Sequence, residues 1–262
     1  MSLAVGVLGW GAIGSAVGRA LESGAVGGAA LAAIGSRRPV PDVSVPVVAP
    51  RDLSTMCDLV VEAAGHQAVR EHVPDLLGAG CRVVLVSTGA LCDELLVAQL
   101  RGSSPGSLLL SSGAIGGVDL LQACRFGGTI HRVHLITSKP PHLLRQDWMD
   151  AEVLAALDAG EQEVVCFDGP AAEAARLFPT NLNVSATLAL AAGSWDLVGV
   201  TVIADPSSTG NRHRIVIDAD AGRYEIDVRN QALADNPRSS ALVVASVLRG
   251  LATIAGGGWT FV

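Results

Sequence analysis

A glycine turn stands where the first apolar run of the chain gives way to a helical pattern, and it limits the possible folds more than any other feature. Ala4-Val-Gly-Val-Leu8 reads as a short strand, Gly9-Trp-Gly-Ala-Ile-Gly14 follows at once, and Ser15-Ala-Val-Gly-Arg-Ala-Leu-Glu22 has helical spacing. A lone G-x-G-x-x-G run is a weak signal, because glycine is common in any turn. Between a strand and a helix it acquires a mechanism. The first glycine permits the tight turn, the second lets backbone approach a pyrophosphate, and the third lets helix and strand pack closely. The helix start at Ala12, Ile13 and Gly14 then offers N–H groups and partial positive charge to phosphates. A purely structural turn in another α/β protein is the competing reading, and the flanking strand and helix weigh against it. Gly9, Gly11, Ala12, Ile13 and Gly14 are therefore expected at the phosphates of a dinucleotide.

The alternation continues. A second apolar run at 29–34 ends at Gly35-Ser-Arg-Arg38, and further strands are expected at 59–62, 82–86 and 108–110, with helices at 67–77 and 93–101 between them. Near-continuous apolar strands separated by helices imply a doubly wound parallel sheet covered on both faces, a Rossmann-type α/β domain. Enzymes that prefer NAD place Asp or Glu after the second strand to accept from the ribose 2′-hydroxyl. Here Ser36, Arg37 and Arg38 offer a hydroxyl and two guanidinium forks, a set suited to a 2′-phosphate. A solvated loop is the alternative for the two arginines. NADP, alone or beside NAD, is the expected cofactor. Ligands of open α/β sheets sit beyond the carboxyl ends of the strands, which adds Ala63, Ala64 and Thr88 to the cofactor candidates. The proline-rich stretch at 38–50 reads as a surface loop.

After Ser111-Ser-Gly-Ala-Ile-Gly-Gly117 the alternation stops. Strands are expected at 130–138, 163–167, 197–204, 212–219 and 223–228, the last two joined by the hairpin signal Asp220-Ala-Gly222, with a helix at 184–192. Such pairing predicts a second, smaller α+β domain with a mostly antiparallel sheet. The boundaries that follow are 1–112 for the dinucleotide domain and 113–235 for a substrate domain, with a last helical pattern at 239–255 carrying 236–262 back onto the first. In Asn211-Arg-His-Arg-Ile-Val-Ile217, strand alternation puts Asn211, His213, Ile215 and Ile217 on one face and both arginines on the other. Two readings stay open for His213, a satisfied core histidine or a reactive group.

Composition narrows the function. The formal charge of −7 opposes nucleic-acid binding as a main task, and aromatics at 3 % against 50 % apolar residues mean a core of small aliphatic side chains. Five cysteines without C-x-x-C spacing fit neither a disulfide framework nor a zinc cluster, and the carboxylates and histidines show no metal-ligand spacing, so no metal is expected. No basic leader precedes the first apolar run and no apolar stretch is long enough for a bilayer, so a cytoplasmic protein with a small-molecule substrate is expected. An Ala- and Val-rich second half makes a homodimer plausible. Lys139 is the only lysine among 18 basic residues. A compact ammonium beside Pro140-Pro141 meets the need of a site for an anionic substrate, or it is a surface residue retained by chance.

Several segments, in order along nearly the whole chain, resemble the L-aspartate dehydrogenase family: Gly9-Trp-Gly-Ala-Ile-Gly14, Val61-Glu-Ala-Ala64, Ser87-Thr-Gly-Ala90, Ser112-Gly-Ala-Ile-Gly-Gly117, Lys139-Pro-Pro141, Phe178-Pro-Thr-Asn-Leu-Asn-Val184, Asp205-Pro206, Asn211-Arg-His213 and Asn236-Pro237. The resemblance implies oxidative deamination of L-aspartate by hydride transfer to NAD(P)+, giving iminoaspartate and then oxaloacetate and ammonia, with a possible link to NAD biosynthesis. It places the catalytic histidine on His213 and cofactor contacts on Ala114 and Asn183. Lys139, Asn181 and His66 are the substrate-binding candidates. Asn181 and Asn183 precede an apolar helix, where N-capping is an alternative or an added role. The glycines around Ala114 serve equally as a hinge. Competing functions are another two-domain reductase of the dihydrodipicolinate reductase type, whose His-His-rich segment is not visible, and a non-catalytic dinucleotide sensor.

Overall fold

Six strands make an all-parallel sheet in the first of two compact units: β1 (Leu3–Leu8), β2 (Ala29–Gly35), β3 (Val47–Val48), β4 (Leu59–Glu62), β5 (Arg82–Leu85) and β6 (Leu108–Leu110). The structure is a computed structural model that describes residues 2–102, 106–179, 182–233 and 236–256, without the side chains of Pro237 and Arg238. The strand order is β3-β2-β1-β4-β5-β6, which reverses direction beside β1 and so opens a crevice at the carboxyl ends of β1 and β4. Every residue of β4 is buried, as is all of β5 except Arg82, as expected of strands covered on both faces. Helix α1 (Ala12–Glu22) packs on β1 and β2, α2 (His66–Gly78) packs on β5, and α3 (Glu94–Gly102) packs against α2. This unit runs to Gly113 and takes in the chain again from Val243.

The second unit, Ala114–Leu242, holds α4 (Val118–Gly127), β7 (Ile130–Lys139), α5 (Ala151–Ala159), β8 (Val164–Pro170), α6 (Ala171–Leu177), α7 (Asn183–Ala192), β9 (Val198–Ala204), β10 (Asn211–Ala219), β11 (Gly222–Asn230), β12 (Ala232–Leu233) and β13 (Asn236–Ser240). Its main sheet runs β11-β10-β7-β9-β8 and is antiparallel at every pairing except β7 with β9. Helix α7 packs on β7 and β9, with α4 and α6 beside it, so one sheet face is covered. Register lines up two apolar rows beneath these helices, Ile217–Val133–Val198 and Ile215–Leu135–Val200, and all six side chains are buried. The opposite face of β10 shows Arg212 and Arg214, ion-paired to Asp227 and Glu225 of β11 at 2.8 and 2.7 Å. The Asp220-Ala221 turn joins these two strands as the hairpin signal requires, with Ala219 paired to Gly222.

Three expectations are corrected. The stretch at 38–50 is not all loop, because Val47–Val48 adds an edge strand against Ile34 and Gly35. The last helix, α8 (Ala241–Ile254), starts later than its pattern suggests, since Asn236–Ser240 pairs with Ala232–Leu233 first. The segments of α4, α5 and α6 are helices that escaped notice. In α8, Val243, Val247 and Leu251 are buried at helical spacing, and Ser246 meets Ser111 of the first unit at 3.2 Å.

Candidate active site

The glycine turn fits a dinucleotide. Gly9 has φ +92°, a conformation that costs a residue with a Cβ strain, and a Cβ on Gly14 would stand 2.0 Å from the Gly9 carbonyl oxygen. A Cβ on Gly11 would meet nothing within 4 Å, so the exposed side of the turn is open to a phosphate. Gly11 caps α1 without any side-chain hydrogen bond, and the first turn of α1, with Ala12 and Ile13, carries no acidic residue. The N–H groups there face no competing anion from the helix itself. A cleft of about 540 Å³ extends from this turn along Gly35, Ser36, Arg37 and Arg38 on one side and Ala63 and Ala64 on the other. The donor set thus suits a phosphate-bearing dinucleotide.

At the second strand end, the Ser36 hydroxyl donates to the Arg38 carbonyl at 2.8 Å and accepts from the Arg38 N–H at 3.1 Å. Its task is to fix the turn. Arg37 and Arg38 are exposed, and among the described residues no carboxylate pairs with either. Thr88 is buried in a 3-10 turn after β5, and His66 is half-buried as the first residue of α2.

Between those strand ends lies a carboxylate that sequence reading passed over. Glu62 is fully buried at the end of β4, where its Oε1 accepts from the N–H groups of Ala64 and Gly65 at 2.8 and 2.9 Å and from the Ser87 hydroxyl at 3.0 Å. Its Oε2 accepts from the Ser87 N–H at 3.0 Å. Burial pushes the carboxyl above the usual range while those four donors pull it back. Glu62 thereby ties the loop after β4 to the loop after β5. The only local hint was a charged residue at the end of an otherwise apolar strand.

In the second unit, the buried sheet face turns polar at one end. Beyond the two apolar rows, His213 pairs across the sheet with Thr137 and Thr137 with Val202. The next row holds Lys139 beside Ala204, and Asn211 continues β10 one residue past the Arg212–Ser138 pair onto the same buried face. His213 and Lys139 are each 2 % exposed. Strand alternation had placed His213 and Asn211 on one face, and it does so here. Thr137 Oγ1 lies 3.0 Å from His213 Nδ1, which leaves Nε2 as the nitrogen for a ligand or water. Burial and then the Lys139 cation push the imidazole down to about 3, and burial brings the Lys139 ammonium down to about 8. Near neutral pH this end of the sheet presents a neutral imidazole beside a cation.

The other expected positions are more scattered. Ala114 is buried and its carbonyl accepts from Asn230 Nδ2 at 2.8 Å, which pins the start of the glycine-rich segment to β11. Asn183 is the first residue of α7 and half-buried; the N-cap is Leu182, without a side-chain cap bond, so Asn183 does not cap that helix. Asn181 lies outside the described residues. Among the described residues, no group of three His, Cys, Asp or Glu side chains could hold a metal ion.

Comparison with known proteins agrees with both halves of this architecture. A family model described as "Homoserine dehydrogenase, NAD binding domain" matches residues 9–106, and one described as "Aspartate dehydrogenase, C-terminal" matches residues 119–254. The chain is 42 % identical over 199 residues to an L-aspartate dehydrogenase of Pseudomonas aeruginosa, covering 74 % of this chain and 73 % of that protein. It is 35 % identical over 263 residues to one of Methanosarcina mazei, covering 96 % and 97 %. A crystal structure of aspartate dehydrogenase from Thermotoga maritima superposes over 100 % of both chains with a TM-score of 0.78 at 28 % identity. With a parallel NAD(P)-binding sheet, a second mixed sheet, and relatives matching from end to end, the chain belongs to the L-aspartate dehydrogenase family of NAD(P)-dependent oxidoreductases.

Proposed function

We propose that this protein oxidises L-aspartate to iminoaspartate, which water converts to oxaloacetate and ammonia. The observation that carries the reading is the polar end of the buried sheet face, where a neutral His213 and the Lys139 cation stand together in a member of this family. The dinucleotide, when bound, supplies the hydride acceptor. Gly9, Gly11, Ala12, Ile13 and Gly14 would hold its phosphates, with Ala63, Ala64, Thr88, Ala114 and Asn183 as further contacts. Arg37 and Arg38, on the turn that Ser36 fixes, suit a 2′-phosphate, which favours NADP.

Lys139 balances substrate carboxylate charge with a desolvated ammonium, which interacts more strongly than an exposed one. His213, held through Nδ1 by Thr137, uses Nε2 to orient and deprotonate the water that adds to the imine carbon. Of the two causes that lower its pKa, burial first and then Lys139, the second is offset once substrate carboxylates lie beside the ammonium, which makes the imidazole a better base in the complex. His66 and Asn181 are assigned to the substrate from sequence alone.

Five free cysteines suit a reducing compartment, which favours the cytoplasm. No helix among the described residues is long and apolar enough to cross a membrane. A homodimer is supported by the long edge strand β11 and by Phe126, 95 % exposed in the same unit. The test of function is NADPH appearance at 340 nm with L-aspartate as sole substrate. Turnover with L-aspartate above that with other amino acids is expected, and none with L-aspartate would refute the proposal.

A further inference from the structure

The polar end of the buried sheet face contains one more group, which no partner among the described residues uses. Asn211 is 5 % exposed, and its Oδ1 is buried without any hydrogen-bond partner. It is the only buried side-chain polar atom found in that condition among the described residues. Turning the amide over would merely put Nδ2 in the same unpartnered place. Its strand neighbours do not need it: the next inward side chain, His213, is held by Thr137, and Asn230 of the paired strand gives its amide to the Ala114 carbonyl. A leucine, with the same number of side-chain heavy atoms, would occupy the position without an unsatisfied carbonyl. A polar group kept under those conditions points to a partner that arrives with a ligand.

With the amide as it is placed, the missing partner is a donor, since a carboxamide oxygen only accepts. It must also fit a polar end that holds a cation in the same row and a neutral imidazole in the next. Carboxylates go to Lys139. Of the groups on an amino-acid dicarboxylate, only the α-amino group donates hydrogen bonds. We infer that Asn211 Oδ1 accepts a hydrogen bond from the α-amino group of the substrate and so fixes the carbon that is oxidised. Asn211 is then the residue by which the site separates an amino dicarboxylate from a dicarboxylate without nitrogen, an assignment that rests on the function proposed above.

The test compares wild type with Asn211→Leu and Asn211→Ala in the full chain. Four quantities are read: kcat and KM for L-aspartate, the inhibition constant of succinate, which lacks the amino group, and the thermal midpoint. The expected result is a kcat/KM for L-aspartate lower by about tenfold to a hundredfold, the size of a lost hydrogen bond to a charged group. Succinate inhibition stays within about twofold, and the midpoint of Asn211→Leu is unchanged or raised because an unpaired carbonyl has gone. An unchanged KM and kcat for L-aspartate would overturn the inference. So would equal weakening of succinate and L-aspartate, or a midpoint that falls in both variants together with a uniform loss of binding, since either marks a role in shaping the site. If wild type binds NADPH and does not oxidise L-aspartate, the functional reading falls and the inference with it, an outcome separate from the others because it precedes any variant.

Discussion

Replacing Glu62 by glutamine leaves the side chain the same size and removes one of its two acceptors. The glutamine oxygen does best where Oε1 stands, because three donors converge there: Ala64 N–H, Gly65 N–H and the Ser87 hydroxyl. The amide nitrogen then faces the Ser87 N–H, which in the native protein lies 3.0 Å from Oε2, so donor opposes donor. Losing a bond to a charged acceptor and orphaning a buried N–H together cost about 3–5 kcal/mol. Removing a buried charge returns part of that, roughly 1–2 kcal/mol on the scale of transferring polar groups into protein interiors. The net loss is about 1–4 kcal/mol and is local to the two loops. Hydrogen exchange read by mass spectrometry on peptides spanning 62–65 and 85–89 should then be faster by about 5- to 700-fold where opening is local, at about 1.4 kcal/mol per factor of ten. Dinucleotide affinity should fall as well, because Ala63 and Ala64 line the cleft. Exchange within about threefold of wild type in both peptides would refute the claim that Glu62 braces these loops.

The remaining predictions concern charge and chemistry. Arg37→Ala and Arg38→Ala should each weaken NADPH binding by about tenfold, the typical size of a charge-assisted bond, with NADH within about twofold by fluorescence titration; equal loss of both would point to a structural role. His213→Ala should lower kcat by about a hundredfold or more and leave the dinucleotide dissociation constant in place, and near-normal turnover would reject its assignment. Lys139 is brought from 10.5 to about 8 on folding, so between those values the unfolded chain binds the extra proton and stability rises with pH. That rise is about 3 kcal/mol across the window at most, and Lys139→Met should remove it; an unchanged slope in urea titrations at pH 8 to 10.5 would show that the ammonium is not the group responsible.

The parts of the fold that were legible in sequence are those where neighbours along the chain decide the outcome. The turn from Gly9 to Gly14 carries its own geometry, and the short apolar run of β4, followed by a helical pattern, reads as a strand buried on both faces. Alternation in β10 placed His213 and Asn211 together without knowledge of any partner strand. What escaped depends on residues far apart. The burial of Lys139 follows from pairing β7 with β9 and β10, more than 60 residues away, and composition left it even with a surface residue. Glu62 meets Ser87 across 25 residues, a pairing that no local pattern announces. The helical pattern from 239 overlaps the end of a strand, because Asn236–Ser240 pairs with Ala232 and Leu233 before α8 begins. Ser36 was counted as a ligand, and the structure spends its hydroxyl on the loop that presents the arginines.

The first unit is built from two separate stretches of chain, while the second is continuous from Ala114 to Leu242. During translation this sets an order. All six strands of the parallel sheet leave the ribosome before α8, and about 130 residues must be added in between, which takes roughly 6–26 s at ordinary elongation speeds. Through that interval the surface that will receive Val243, Val247 and Leu251 is uncovered. A nascent chain in this condition is a client for chaperones that hold apolar patches. Messages cut short before codon 243 should yield a second unit able to fold and a first unit unable to close, so the two halves differ in how they tolerate truncation.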